Sequence, residues 1–105
     1  MGVTTVSGRL APELIQRAVR AHFDDFRTCY ESGLHSNPKL EGRVSALFKI
    51  IGDGSVRSVS DGGSDLPDRE VTSCILNEFS KICFPTPPDF GGTVTVVFPL
   101  ILIPE

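Results

Sequence analysis

The sequence predicts an α+β domain, with two helices packed on one face of a three-stranded antiparallel sheet in the order helix, strand, strand, helix, strand. Three observations carry this. Apolar residues recur at helical spacing through Ile15, Ala18, Val19, Phe23, Phe26, Tyr30 and Leu34. The block GRVSALFKIIGDG then alternates apolar and polar residues up to a glycine-rich turn, and SVRSVS follows it as a shorter run. Last, TVTVVFPLILI is apolar and of strand length, and it contains Pro99.

Each element has a local reason. Pro12 opens the first helix at a position where its missing N–H costs nothing. The helix is expected to run unbroken to about His35, with Cys29 on its buried stripe and Asp24 and Asp25 mid-helix, and Asn37-Pro38 ends it. In the next strand Val44, Ala46, Phe48 and Ile50 share one face, while Arg43, Ser45 and Lys49 share the other with Leu47 and Ile51. Gly52-Asp53-Gly54 makes the hairpin turn into Ser55–Ser60. DGGSDLP is a loop in which Asp65 is expected to cap a second helix from about Pro67 to Ile82. Its buried stripe is expected to be Val71, Cys74, Ile75, Glu78 or Phe79, and Ile82. The proline-rich Phe84–Gly92 is irregular, and Thr93–Ile103 is the closing strand. In the lead, VTTV reads as a minor strand.

At 105 residues the chain is one domain, 1–105, with a core but little stability to spare. Residues 1–8 read as a flexible lead, and the Met-Gly start as that of a domain cut from a longer, anchored protein. A net charge of −3 without a basic run argues against nucleic acid and against an anionic membrane as partner. No apolar run reaches the roughly 18 residues that span a bilayer, so direct membrane insertion is not expected.

Catalytic and metal motifs are missing from the pattern. A cysteine nucleophile needs a nearby base, and His22 and His35 lie seven residues before and six after Cys29, too remote along a helix for direct contact. The carboxylates of Asp24 and Asp25 point about 100° apart on a helix and share no site. Cys29, Cys74 and Cys83 lack the paired spacing of a zinc site. Asp53, Asp61 and Asp65 lack the spacing of a calcium loop. GDG and DGG are too short to cradle a phosphate, and no cofactor motif occurs. The residues therefore read as those of a non-enzymatic module.

The cysteines leave alternatives. Cys29 and Cys74 sit on helices expected on the same sheet face, so a bridge between them is plausible and would close a loop of about 45 residues. Cys83 is an alternative partner for Cys29, and three free thiols are the third possibility.

LEGRVSALFKIIGDGSVRSVSDGGSDLPDREVTSCILNEFSKICFPTPPDFGGTVTVVFPLIL resembles a TonB C-terminal-type domain. The pattern consists of Gly42-Arg43-Val44, the Asp53-Gly54 turn, Val56 and Val59, the helix from Pro67, Phe84-Pro85 and the strand from Thr93. Upstream, CYESGLHSNPKLEGRV is similar to the AgmX/PglI-type C-terminal domain, a TonB-like branch associated with gliding motility. In that branch a helix ends in Cys-Tyr-Glu, here from Cys29, and a second cysteine lies on the later helix, here Cys74. The resemblance covers about residues 8–104. Two departures are the absence of tryptophan and the added Cys83.

The resemblance implies a periplasmic domain of an inner-membrane-anchored protein, with Cys29 bridged to Cys74 and Cys83 left as the odd thiol. It also implies capture of an extended peptide of an outer-membrane or periplasmic protein on a sheet edge, linking an inner-membrane motor complex to an outer-membrane protein in gliding motility. The alternatives are self-association of the same edge in an envelope complex, or energy transduction for outer-membrane nutrient uptake. The closing strand is the expected edge because proline within a sheet is largely confined to edges and bulges. The expected partner-binding residues are those before Pro99: Val94, Thr95, Val96, Val97 and Phe98.

Overall fold

The computed structural model describes residues 5–7, 10–86 and 92–104. The elements are β1 (Thr5–Ser7), α1 (Pro12–Arg20), α2 (Phe23–Ser36), β2 (Gly42–Ile50), β3 (Val56–Asp61), α3 (Arg69–Phe79) and β4 (Val94–Leu102). The expected antiparallel sheet of β3, β2 and β4 is present, and β1 adds a fourth, three-residue strand on the outer side of β4, giving the order β1-β4-β2-β3. Part of the lead expected to be flexible is thus paired. Residues 1–4 and 8–9, residues 87–91 of the proline-rich connection, and residue 105 lie outside the described residues.

Residues 12–36 form two helices, not one. The chain turns at Ala21 and His22, where the His22 N–H donates to the Val19 carbonyl in a tightened turn. Arg17 and Arg20 then fall in the last turn of α1, and Asp24 and Asp25 in the first turn of α2. Cations at a helix C-terminus and anions at a helix N-terminus both oppose the local macrodipole charge. A continuous helix would place all four charges where they gain nothing.

Asp68, rather than Asp65, caps α3, and its carboxylate accepts from the N–H groups of Glu70 and Val71. Asp65 instead accepts from the Arg43 N–H at 2.6 Å. It belongs to a loop that runs beside the first half of β2. There the Gly62 N–H donates to the Ser45 carbonyl, the Asp65 and Leu66 N–H groups donate to the Arg43 carbonyl, and the Ser45 N–H donates to Ser64 Oγ. The loop therefore satisfies the side of β2 that β3 no longer reaches.

Asp61 anchors this loop by accepting from the N–H groups of Gly63 and Ser64, and those bonds hold its carboxyl below the usual range. Folding lowers this pKa, so the carboxylate adds stability at pH above about 4 and loses it as pH falls through the lowered folded value. Asp53, which accepts from the Ser55 N–H, is shifted in the same direction by its bonds to Ser55. We expect the urea midpoint to fall between pH 5 and pH 2.5, and to fall less in Asp61→Ala. An equal fall in both proteins would remove Asp61 from the acid response.

The core lies between the sheet and the helices. Val44, Ala46, Phe48 and Ile50 of β2, with Val94, Val96 and Phe98 of β4, are all fully buried on the helix side. Phe79 of α3 meets Phe26 of α2 at 4.8 Å, Phe48 at 5.5 Å and Phe98 at 5.9 Å between ring centroids. One aromatic side chain thereby touches both neighbouring layers. β3 carries a bulge: Leu47 pairs with Ser60 but Lys49 pairs with Arg57, so β3 spends one residue more than β2, and Ser58 takes a φ of 57°.

At the hairpin, Gly54 has a φ of 88°, and an added Cβ would lie 2.0 Å from the Phe84 carbonyl oxygen. The Phe84 N–H donates to the Gly54 carbonyl at 2.9 Å, so backbone crosses backbone at this point. Gly54→Ala is expected to cost at least about 2 kcal/mol, combining backbone strain with displacement of Phe84. Thermal unfolding should show a midpoint lower by about 8 °C or more.

Candidate functional site: the outer edge of the last strand

The hydrogen-bond direction of each β4 residue follows from β2. Arg43 and Ser45 spend their N–H and C=O groups on the loop, and Ile51 bonds to Ser55, so the odd-numbered residues of β2 face β3. Its even-numbered residues face β4, where Val44 pairs with Leu100, Ala46 with Phe98 and Phe48 with Val96. In β4, therefore, Thr95, Val97, Pro99 and Ile101 turn their backbone groups outward. β1 takes up part of this edge, with Thr5 opposite Val97 and Ser7 opposite Thr95. Pro99 sits where its missing N–H removes no bond to β2.

The five residues expected to bind a partner lie together in β4. Val94, Val96 and Phe98 point into the core, and Thr95 and Val97 are half-buried on the opposite face. Their outer backbone edge is not free: β1 covers Thr95–Val97. This masking was not anticipated, since three residues of lead carry no pattern that specifies a pairing partner. Beyond them, Pro99–Leu102 pairs with β2 on its inner side and has no strand partner on its outer side among the described residues.

Beside that open half lies a groove of about 740 Å³ between α2 and the end of β4. Its α2 wall is Phe23, Phe26, Tyr30 and Leu34, and its β4 wall runs from Leu100 to Pro104. Tyr30 is fixed by donating its hydroxyl hydrogen bond to the Leu40 carbonyl, and burial, with Glu41 nearby, pushes its phenol pKa up. Ile101 at 46% and Ile103 at 64% are the exposed large hydrophobic residues among those described, and both line this groove.

Cys29 of α2 is bonded to Cys74 of α3, with Cα atoms 5.7 Å apart. Cys29 is buried as expected, whereas Cys74 is exposed on the flank of α3, outside the buried stripe assigned to it. Cys83 is free and exposed. His22 lies at the turn between α1 and α2 beside Asp25 at 3.4 Å, and His35 is exposed on α2. Asp53, Asp61 and Asp65 each spend a carboxylate oxygen on a backbone N–H of the loops. Among the described residues no three His, Cys, Asp or Glu side chains converge on a metal site. No helix among them is long and apolar enough to cross a membrane.

An α+β layer whose last long strand offers an outer edge, next to a groove under the second helix, has the fold of a TonB C-terminal domain. The chain is similar to the solution NMR structure of the Helicobacter pylori TonB C-terminal domain, residues 179–285, with a TM-score of 0.54 and 21% identity over 94% of this chain and 98% of that one. No family model matches the sequence, and no curated protein matches it.

Proposed function

We propose that this domain is a non-enzymatic coupling module of the periplasm. It captures an extended segment of a partner by adding that segment as a strand to β4. It thereby links an inner-membrane complex to an outer-membrane protein. The observation that carries this reading is the outer edge of β4, which accepts an antiparallel strand in this chain itself. The TonB C-terminal fold supports it. The bridged pair Cys29 and Cys74 supports an oxidising compartment. The similarity around Cys29-Tyr30 favours the gliding-motility branch over nutrient uptake. The recipient segment is Val94–Phe98, reached by exchange with β1.

A strand-addition contact loaded along the strands shears several hydrogen bonds together, which suits a link under tension. The exposed Ile101 and Ile103 favour a second reading, in which the same edge joins copies of the chain in an envelope complex. In-cell photocrosslinking from a benzoylphenylalanine at Val97, with Arg57 on β3 as the control, decides between them. The coupling reading expects an adduct from position 97 alone that maps to an extended segment of an outer-membrane or periplasmic protein. An adduct of twice the chain's own mass favours self-association. Equal adducts from both positions, or none, reject the β4 edge as the site.

A further inference from the structure

The bridge between α2 and α3 has two unlike ends. We propose that Cys74 is a thiol–disulfide exchange site that is open in the folded protein. An external dithiol enters the bridge at Cys74 Sγ, and Cys29 is the sulfur that leaves. This assignment stands apart from the role of β4.

A thiolate attacks one sulfur of a disulfide and expels the other, so the sulfur that can be reached decides the product. Cys29 is 4% exposed and belongs to the core. Cys74 is exposed, as are Ser73 beside it and Glu70 and Asn77 one turn away on the same helical face. A nucleophile therefore meets Cys74 from solvent and meets Cys29 only by entering the core. Burial makes Cys29 the poorer leaving thiolate, which slows the step without redirecting it.

The packing allows exchange without unfolding. Three contacts cross between the helices in opposite sequence order. Phe26 meets Phe79 at 4.8 Å between ring centroids, Cys29 is bonded to Cys74, and Gly33 lies where an added Cβ would meet Val71 Cγ2. The bridge is the middle contact of the three. When it opens, the packing on either side holds the helices together and keeps Cys29 beside Cys74, ready to close again. Because α2 also forms a wall of the groove, the exchange reaches that wall by releasing one of its ties to α3.

The step is a two-electron exchange. One thiolate of the dithiol attacks Cys74 Sγ, forming a mixed disulfide and breaking the bond to Cys29. The electron pair of that bond passes to Cys29 Sγ, which takes a proton from water. The second thiolate of the dithiol then attacks its own partner sulfur in the mixed disulfide and expels Cys74, which is protonated in turn. The dithiol ends as a disulfide, and the protein holds two thiols. In reverse, an external disulfide is entered by Cys74, and Cys29 closes the bridge.

The test uses the oxidised protein with Cys83→Ser, since Cys83 is free and exposed and would react in its own right. Its reduction by excess dithiothreitol is followed at rising urea concentrations below the unfolding transition. Entry at Cys74 predicts a rate proportional to dithiothreitol that is nearly flat across the range. Reduction that waits for unfolding would rise about tenfold or more over the first 2 M of urea, and that result overturns the proposal. The sulfur is assigned with two further variants in the same background, Cys29→Ala and Cys74→Ala, each reacted with hydroxyethyl disulfide. The Cys74 thiol should react at least tenfold faster than the Cys29 thiol in buffer, and the two should agree in denaturing urea. Similar rates in buffer from two variants with native amide shifts overturn Cys74 as the point of entry. If either variant has lost its native shifts, the urea dependence of the bridged protein decides alone.

Discussion

Replacing both Cys29 and Cys74 with alanine, or reducing the bridge, is expected to lower the unfolding free energy by about 4 kcal/mol. The bridge spans a sequence separation of 45, and the estimate is the loop-closure entropy returned to the unfolded chain. A domain of this size has a total of about 5–15 kcal/mol, so the loss is a large fraction of it. The double substitution avoids an unpaired buried thiol at Cys29. The measurement is urea unfolding of the oxidised, reduced and doubly substituted proteins. The oxidised protein should unfold at a clearly higher midpoint than the other two, which should agree with one another. A loss under about 1 kcal/mol would mean that the unfolded chain already holds α2 near α3. The consequence reaches the candidate site, because α2 forms one wall of the groove and the bridge ties α2 to α3.

Phe79→Ala is expected to cost about 3–5 kcal/mol. Phe79 is fully buried and contacts aromatic rings from α2, β2 and β4. Truncation removes the burial of a large ring, leaves a cavity, and takes away tilted ring contacts worth about 0.5–1.5 kcal/mol per pair. Phe79→Leu should recover about half of the loss by filling part of the volume. Urea unfolding of the three proteins checks this. Values under about 2 kcal/mol for alanine would show that the neighbouring rings collapse into the space. Because Phe26 both touches Phe79 and lines the groove, the α2 wall of the groove should loosen along with the core.

Much of the fold is written in local pattern. Alternation alone places Val44, Ala46, Phe48 and Ile50 on one face, and all four are fully buried. Gly54 marks the hairpin because the turn needs a positive φ there. The break at Ala21 and His22 escapes a periodicity argument for a physical reason. Val19 and Phe26 are seven residues apart, close to two helical turns, so the apolar stripe stays in phase across the break. The signal lies in charge: Arg17 and Arg20 suit a helix end and Asp24 and Asp25 a helix start.

Asp65 and Asp68 both stand before α3, and their roles depend on whether Arg43 is near, which is tertiary information. The same holds for the site. Val94–Phe98 is legible as strand and Pro99 as an edge residue, but β1 over Thr95–Val97 depends on which free edge lies within reach of a three-residue segment. The groove is equally hidden, because its walls come from α2 and β4, far apart in sequence.

The bulge in β3 bears on how this sheet can join others. Its left-handed Ser58 breaks the even repeat of donors and acceptors that a neighbouring strand would need on that side. The sheet thus has a valence of one. Under the strand addition proposed above, a guest joins on the β4 side and the sheet that results is capped at β3. Any assembly built through this sheet stops at a pair or a single adduct, where a sheet with two receptive edges would propagate as a fibre.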